Sequence, residues 1–175
     1  MKHLEFLNKY IEANQPKFEL QCLYVDNDNL VATDTRVLII KKLVNAANIQ
    51  TLLHKELIKT VLKANNTKIL KVQTACYKEN SITVNNIEFR QVNTILGTYP
   101  NYARIKLKNP EHKIVTTKNI RCELDLIGVQ IADNWKYFLD FIGDKRDIII
   151  KYNSLITQFQ FEFDDYIIIA MPISR

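Results

Sequence analysis

Glycine and proline are scarce in this chain, with three and four copies among 175 residues. Flexible linkers are rich in glycine, serine and proline, so no long linker is expected and any domains should pack closely. No run of about 18 apolar residues suggests a membrane span. The N-terminal stretch "MKHLEFLNKYIEANQ" has charges spread through it and lacks the apolar centre of a secretory signal. We therefore expect a cytoplasmic protein with no membrane partner.

Residues that carry catalytic or metal chemistry are also few. The three cysteines, Cys22, Cys76 and Cys122, are far apart and fit no metal-ligand spacing, which favours reduced, packed thiols. None of the three histidines has a partner at the spacing of a helical metal site. No nucleophile elbow, phosphate loop or zinc pattern occurs. The sequence predicts a protein that is not an enzyme and holds no metal or cofactor.

What the chain does have is a hydrophobic content of 47%, enough for one sizeable core or two small ones. Lysine and arginine total 24 against 19 acidic residues, which gives a net charge of +5. Such a mild excess is compatible with binding to nucleic acid but does not establish it.

Hydrophobic periodicity alternates between helical and strand patterns. Residues 4–13 and 51–65 repeat apolar side chains at helical spacing, and a third short helix begins near Asp133 or Asn134, its expected caps. The remaining segments alternate as strands do, and residues 113–131 are also interpreted as strand. The pattern predicts an α+β fold in which a helix and antiparallel strands recur three times.

Four segments resemble motifs of one family and follow the same order. They are "LVATDTR", "YPNYARI", "NWKYFLDFI" and "YIIIAMPISR". Together they resemble the bacterial sliding clamp, the beta subunit of DNA polymerase III. The resemblance implies a DNA-clamp-like fold built from units of helix and antiparallel sheet. Residues 1–107 would match the second clamp domain and residues 108–175 the rear half of the third, with no counterpart of the first.

In that family the first, second and fourth segments converge on a surface pocket that accepts a short, mostly apolar peptide. The resemblance therefore implies a peptide-binding groove, with polymerases and other proteins that carry the clamp-binding motif as partners. The implied lining residues are Thr33, Arg36, Val37, Pro100, Arg104, Ile105, Ile169, Met171, Pro172 and Ile173. The chain departs from the family at one hairpin, where Thr35 alone replaces a Gly-His pair.

The helix predicted at 51–65 offers a second candidate surface. Lys55, Lys59 and Lys63 recur every four residues and share one helix face. Because clamp helices line a central hole and face DNA phosphates, the resemblance implies duplex DNA as a partner, a clamp loader as another, and self-association into a ring. Twelve helix-bearing units make up the family ring, so three units per chain would require four copies.

Each of the two surfaces also has a purely structural interpretation. The Met-Pro-Ile segment would serve equally well as a plug for a core, and the lysines as the solvated face of an ordinary helix. A clamp-derived interaction or regulatory protein is the alternative function. It would keep the peptide groove, compete with a full-length clamp for partners and leave DNA alone.

Overall fold

The computed structural model describes residues 3–11, 17–43, 50–64, 75–78, 81–84, 87–90, 99–116, 119–143 and 147–173. The chain divides into two compact units. The first consists of Met1–Asp34 and Lys41–Pro100, and the second of Thr35–Ile40 and Asn101–Arg175. The predicted domain boundary at residue 107 stays a prediction. No helix among the described residues is long and apolar enough to cross a bilayer.

Eleven strands and four α-helices occur within the described residues. The strands are β1 (Cys22–Asp26), β2 (Asn29–Thr33), β3 (Val37–Lys42), β4 (Gln50–His54), β5 (Ala75–Lys78), β6 (Ser81–Val84), β7 (Ile87–Arg90), β8 (His112–Thr116), β9 (Ile148–Tyr152), β10 (Phe159–Phe163) and β11 (Tyr166–Ala170). The helices are α1 (His3–Ile11), α2 (Lys55–Ala64), α3 (Ile120–Leu126) and α4 (Lys136–Ile142). Short 3-10 helices span Phe18–Gln21, Tyr102–Arg104 and Asp133–Trp135.

In the first unit, α1 packs against β1, β2 and α2. Leu4, Leu7 and Ile11 recur at helical spacing on its buried face, which explains why this segment forms an amphipathic helix. Strand β1 pairs antiparallel with both β2 and β4. A turn at residues 26–29 joins β1 to β2, with Asn27 at a φ of 49°. Strands β5, β6 and β7 form a separate antiparallel sheet.

In the second unit the strands run in the order β3, β11, β10, β9, β8. Strand β9 is buried at Ile148, Ile150 and Tyr152 but not at the residues between, as a strand with one face on the core requires. The core contains Trp135, whose ring lies 5.5 Å from that of Phe138 and 5.7 Å from that of Phe161. The expected α+β fold with antiparallel sheets is confirmed.

Two local predictions are wrong. Residues 51–54 belong to strand β4, so the helix predicted from residue 51 begins at Lys55. The segment 120–126, interpreted as strand, is helix α3. Its Asn119 cap accepts a hydrogen bond from the backbone N–H of Arg121 at 2.9 Å. The described residues therefore hold four helices rather than three.

The expected cap of the last helix is also wrong. The chain enters a 3-10 turn at Asp133–Trp135 and continues directly into α4. Ala132 precedes the turn, and neither start has a side-chain cap. The helix ends at Gly143, which takes a φ of 57° and whose N–H donates to the carbonyl of Leu139 at 2.9 Å.

Candidate functional site

The candidate peptide site lies where three strands of the second unit end together. Tyr152 at the end of β9 pairs with Phe159 at the start of β10, and Phe159 pairs with Ala170 at the end of β11. The β9–β10 loop and the residues after β11 therefore leave the sheet at the same end. Antiparallel pairing alone places these distant segments side by side.

The residues after β11 are held by their backbone. The N–H of Met171 donates to the carbonyl of Arg36 at 3.0 Å. The indole N–H of Trp135 donates to the carbonyl of Met171, also at 3.0 Å. The N–H of Ile173 donates to the carbonyl of Gln130 at 3.3 Å. These bonds fix the chain on both sides of Pro172, which has no N–H to satisfy.

Side chains of this fixed segment face both the core and the solvent. Ile169 is 2% exposed, whereas Met171 and Ile173 are 43% and 47% exposed. Pro172 is half-buried. The tip thus presents two large apolar side chains on a backbone that cannot easily withdraw them. Such fixed exposure of apolar surface is typical of a binding site rather than of a core plug.

The turn before β3 reaches the same place through the bond between Arg36 and Met171. The side chain of Arg36 is exposed, while Val37 is completely buried. Thr35, where the sequence has one residue in place of the expected pair, takes a φ of 79°. A β-branched residue rarely adopts this left-handed conformation, which costs about 1–2 kcal/mol. The shortened turn is therefore strained.

The segment after the 3-10 helix at Tyr102–Arg104 is tied to β10. The side-chain amide of Gln158 donates to the carbonyl of Ile105 at 2.7 Å. Gln158 immediately precedes Phe159, the partner of Ala170, so Gln158 and Met171 are the next residues at this end of the two strands. Ile105 is 42% exposed and Arg104 is also exposed. The structure thus brings Arg36, Ile105 and Met171 into one region of the second unit.

Two predicted lining residues belong to the first unit. Thr33 ends β2 and is 9% exposed, and Pro100 is exposed. Within the second unit, Val37 and Ile169 are buried beneath the surface rather than on it. Their part in a groove stays a prediction, as does the groove itself.

The β9–β10 loop carries two residues that sequence reasoning missed. Leu155 is 42% exposed and Ile156 is 70% exposed. Ser154 and Thr157 bracket them with mutual hydrogen bonds, among them one from the Thr157 N–H to the Ser154 carbonyl at 3.3 Å. The signal was visible, because a pair of aliphatic residues at a turn between two alternating strands breaks the rule that turns are polar.

The exposed large hydrophobic residues of the described chain concentrate at this end of the sheet. Those found there are Ile105, Leu155, Ile156, Met171 and Ile173. The others are Val115, Leu126 and Tyr137. Arg36 and Arg104 add exposed guanidinium groups, which can donate to peptide carbonyls or stack on flat groups. Apolar area with a few polar donors is the usual chemistry of a peptide-binding surface.

The second predicted surface lies on α2 in the first unit. Lys55 and Lys59 are both half-buried, and the side chain of Lys63 lies outside the described residues. The Lys59 ammonium lies 3.2 Å from the carboxylate of Glu56 within the same helix. Burial, followed by the charges of Lys55 and Lys59, lowers the pKa of His54, although Glu56 opposes this effect. Charges of both signs thus act on His54 at the start of α2.

A surface depression of about 500 Å³ lies against α4. Its lining consists of Arg121, Ile131, Ala132, Asp133, Lys136 and Tyr137. Arg121 is already paired with Asp140 at 2.7 Å. The lining therefore mixes charges of both signs and defines no ligand by itself.

Comparison by sequence finds no matching family model and no matching curated protein. Comparison by structure finds bacterial DNA clamps among the solved structures that resemble this chain. The Helicobacter pylori beta clamp bound to a DNA ligase peptide matches with a TM-score of 0.67 and 15% identity. The match covers 98% of this chain and 62% of the Helicobacter pylori clamp.

Clamps from other bacteria match similarly. The Bacillus subtilis DNA polymerase sliding clamp has a TM-score of 0.66 at 11% identity, over 98% of this chain and 62% of its own. The beta subunit of DNA polymerase III from Thermotoga maritima has a TM-score of 0.63 at 16% identity, over 98% and 63%. The chain thus spans somewhat less than two thirds of the length of these clamps. It has the fold of the bacterial polymerase III beta subunit, and the resemblance inferred from its motifs is confirmed at the level of fold.

Proposed function

We propose that this chain is a sliding-clamp-like processivity factor that docks partner proteins through an apolar peptide groove and associates with duplex DNA. The observation that carries the proposal is the meeting of Arg36, Ile105 and Met171 at one end of the second unit's sheet. The structurally similar Helicobacter pylori clamp binds a DNA ligase peptide, which supports a peptide as the ligand. DNA polymerases and other proteins with the clamp-binding motif are the proposed partners.

The chemistry of the site favours a short, mostly apolar peptide. Met171 has a flexible thioether side chain that can adapt to different apolar partners. Ile173 and Ile105 add branched apolar area, and a few such anchors generally supply most of the affinity of a peptide interface. Because Pro172 and the bonds around it fix the backbone in advance, little entropy is lost when the peptide binds.

The decisive experiment is a titration with a labelled peptide carrying the consensus clamp-binding motif. Fluorescence anisotropy would compare the unaltered chain with a Met171→Ala, Pro172→Ala variant. We expect the variant to bind at least about tenfold more weakly, since it loses an apolar anchor and the fixed backbone. Leu126→Ala is the matched control, because Leu126 is 70% exposed but lies at the end of α3. Equal binding by all three proteins, or none by any, would remove the groove.

Self-association is the second part of the proposal. With four helices within the described residues rather than the three expected, a ring of twelve such helices would require three copies. Light scattering should then give a mass of about three times 20.5 kDa. A single-chain mass at every concentration tested would exclude a ring made of this chain alone.

The alternative is a groove-only interaction protein that regulates partners without encircling DNA. The ion pair between Lys59 and Glu56 favours it, because this pair partly neutralises the lysine stripe from within the helix. Such a protein would bind the consensus peptide as described but would show no salt-dependent affinity for duplex DNA. A filter-binding assay at two salt concentrations separates the two functions.

A further inference from the structure

The segment that carries Arg104 and Ile105 has no regular structure after its 3-10 turn. Residues Ala103, Arg104 and Ile105 are all exposed, and Leu107 is half-buried. Two side chains of the β10 strand region hold this segment. Gln158 donates to the Ile105 carbonyl at 2.7 Å, and Gln160 accepts from the Leu107 N–H at 2.9 Å. The positions of Arg104 and Ile105 therefore depend on these two amides.

Gln160 differs from Gln158 because it is only 3% exposed and its amide is bonded at both ends. Its Nε2 donates to Glu162 Oε1 at 2.5 Å while its Oε1 faces the Leu107 N–H. A carboxylate only accepts and a backbone N–H only donates, so this arrangement permits a single orientation of the amide. Rotating the amide by 180° would place donor against donor and acceptor against acceptor.

Glu162 is itself held as a carboxylate. Its Oε1 lies 2.6 Å from the ammonium of Lys151 on β9, and both side chains are about three-quarters buried. Burial raises the pKa of Glu162, but hydrogen bonds from Lys151 and Gln160, together with the charges of Lys151 and Lys113, outweigh burial and lower it. The Glu162 carboxylate therefore stays ionised throughout the neutral pH range. The orientation of the Gln160 amide is maintained over the same range.

We propose that Gln160, oriented by the Lys151–Glu162 ion pair, is a positioning residue that sets where Arg104 and Ile105 stand in the peptide site. This inference rests on the proposed function, but its structural half can be tested without any peptide. The chain of contacts runs from Lys151 through Glu162 and Gln160 to the Leu107 backbone. It ends at the backbone of the segment, two residues after Ile105.

The first variant is Gln160→Met, which keeps nearly the same length and volume but makes neither hydrogen bond. We expect the Leu107 amide to exchange its hydrogen at least about tenfold faster and the consensus peptide to bind about five- to tenfold more weakly. Far-UV circular dichroism should remain unchanged. Unaltered exchange at Leu107 would overturn the proposal.

The second variant exchanges the charges, as Lys151→Glu with Glu162→Lys. The ion pair can re-form, but lysine at position 162 would donate to Gln160 and turn its amide around, so that Nε2 faces the Leu107 N–H. If the pair merely stabilises the sheet, this charge-exchanged variant should bind the peptide as tightly as the unaltered chain. If the pair orients Gln160, peptide affinity and Leu107 protection should both be as low as in Gln160→Met.

The matched control exchanges another ion pair of the same unit, as Arg121→Asp with Asp140→Arg. That pair joins α3 and α4 at 2.7 Å and is about half exposed. We expect its exchange to leave Leu107 protection and peptide binding unchanged.

The two proposals, the peptide groove and the positioning role of Gln160, fail separately. If the unaltered chain ignores the peptide, the groove is wrong, and Leu107 exchange still decides the role of Gln160. If it binds and Gln160→Met binds equally well, only the positioning role is wrong.

Discussion

The two candidate surfaces differ in how their residues are held. Around Met171, three backbone or indole hydrogen bonds fix the chain before any ligand arrives. On α2, the lysines are long side chains on one helix face, and Lys59 already has Glu56 as a partner. Fixed apolar groups suit the recognition of a defined peptide, because little entropy is lost on binding. Lysine side chains suit sequence-independent attraction to phosphates, because precise placement matters little there.

Trp135 gives the largest expected effect, because it joins the core to the peptide site. The residue is fully buried among aromatic rings, and its N–H holds the Met171 carbonyl. Trp135→Ala should lower the free energy of unfolding by about 3–5 kcal/mol. Urea denaturation followed by circular dichroism measures this loss.

Trp135→Phe separates the two roles of that side chain. It keeps an aromatic ring in the core but removes the N–H, so most of the stability should remain while peptide affinity falls about fivefold. Peptide binding as tight as in the unaltered chain would mean that the Met171 carbonyl needs no fixing. The contrast between a fixed and an unfixed surface would then lose its main support.

Charge reversal on α2 tests the second candidate surface, the lysine face proposed to bind duplex DNA. Changing Lys55, Lys59 and Lys63 to glutamate should reduce the salt dependence of duplex binding by about 2–3 units of slope in a plot of log affinity against log salt concentration. Peptide affinity should not change. A matched triple change to glutamate at Lys42, Lys108 and Lys136, all exposed, controls for net charge. Equal losses in both triple variants would show that the stripe on α2 has no special role.

A substitution at Ile156 tests whether the apolar site extends to the loop between β9 and β10. With 70% of its surface exposed, Ile156→Ser should leave the unfolding free energy within about 0.5 kcal/mol of the original. If the loop between β9 and β10 contributes to the peptide surface, affinity should fall about threefold to fivefold. Val115→Ser, at an aliphatic residue of β8 that is 52% exposed, is the control. No difference between the two would confine the site to Ile105, Met171 and Ile173.

How much the sequence could predict follows from how local each signal is. The strands β9 and β11 are recognisable from their isoleucine runs, and β10 from the alternation of phenylalanine with polar residues. Helix α3 was missed although Ile120 and Leu124 are spaced four apart and both are buried. The β-branched residues that precede it obscured this period. Asn119, an N-cap three positions after a strand, was the available correction.

Strand β4 shows a different limit. Leu52 and Leu53 continue the apolar pattern of α2, so periodicity alone extends the helix backwards. Pairing with β1 overrides it, since Leu53 faces Leu23 and Leu52 faces Tyr24 in the register. The site shows a third limit. The motifs predicted that Arg36, Ile105 and Met171 converge, but the amides of Gln158 and Gln160 that hold Ile105 and Leu107 depend on tertiary contacts that no local pattern encodes.

The smallest expected effect concerns acid stability and the ion pair beside Gln160. The pKa of Glu162 is lowered in the folded protein from its usual 4.5. Its stabilising contribution is therefore complete above pH 4.5 and is lost as the pH falls through the lower folded-state value. We expect about 0.5–1 kcal/mol, since the pair is only partly buried. Glu162→Gln should flatten the acid side of the stability curve by that amount, as measured by urea denaturation between pH 6 and pH 3. Asp140→Asn, which breaks the more exposed pair with Arg121, is the control. Identical acid limbs for both variants would mean that the pair beside Gln160 is held no more firmly than an ordinary surface pair.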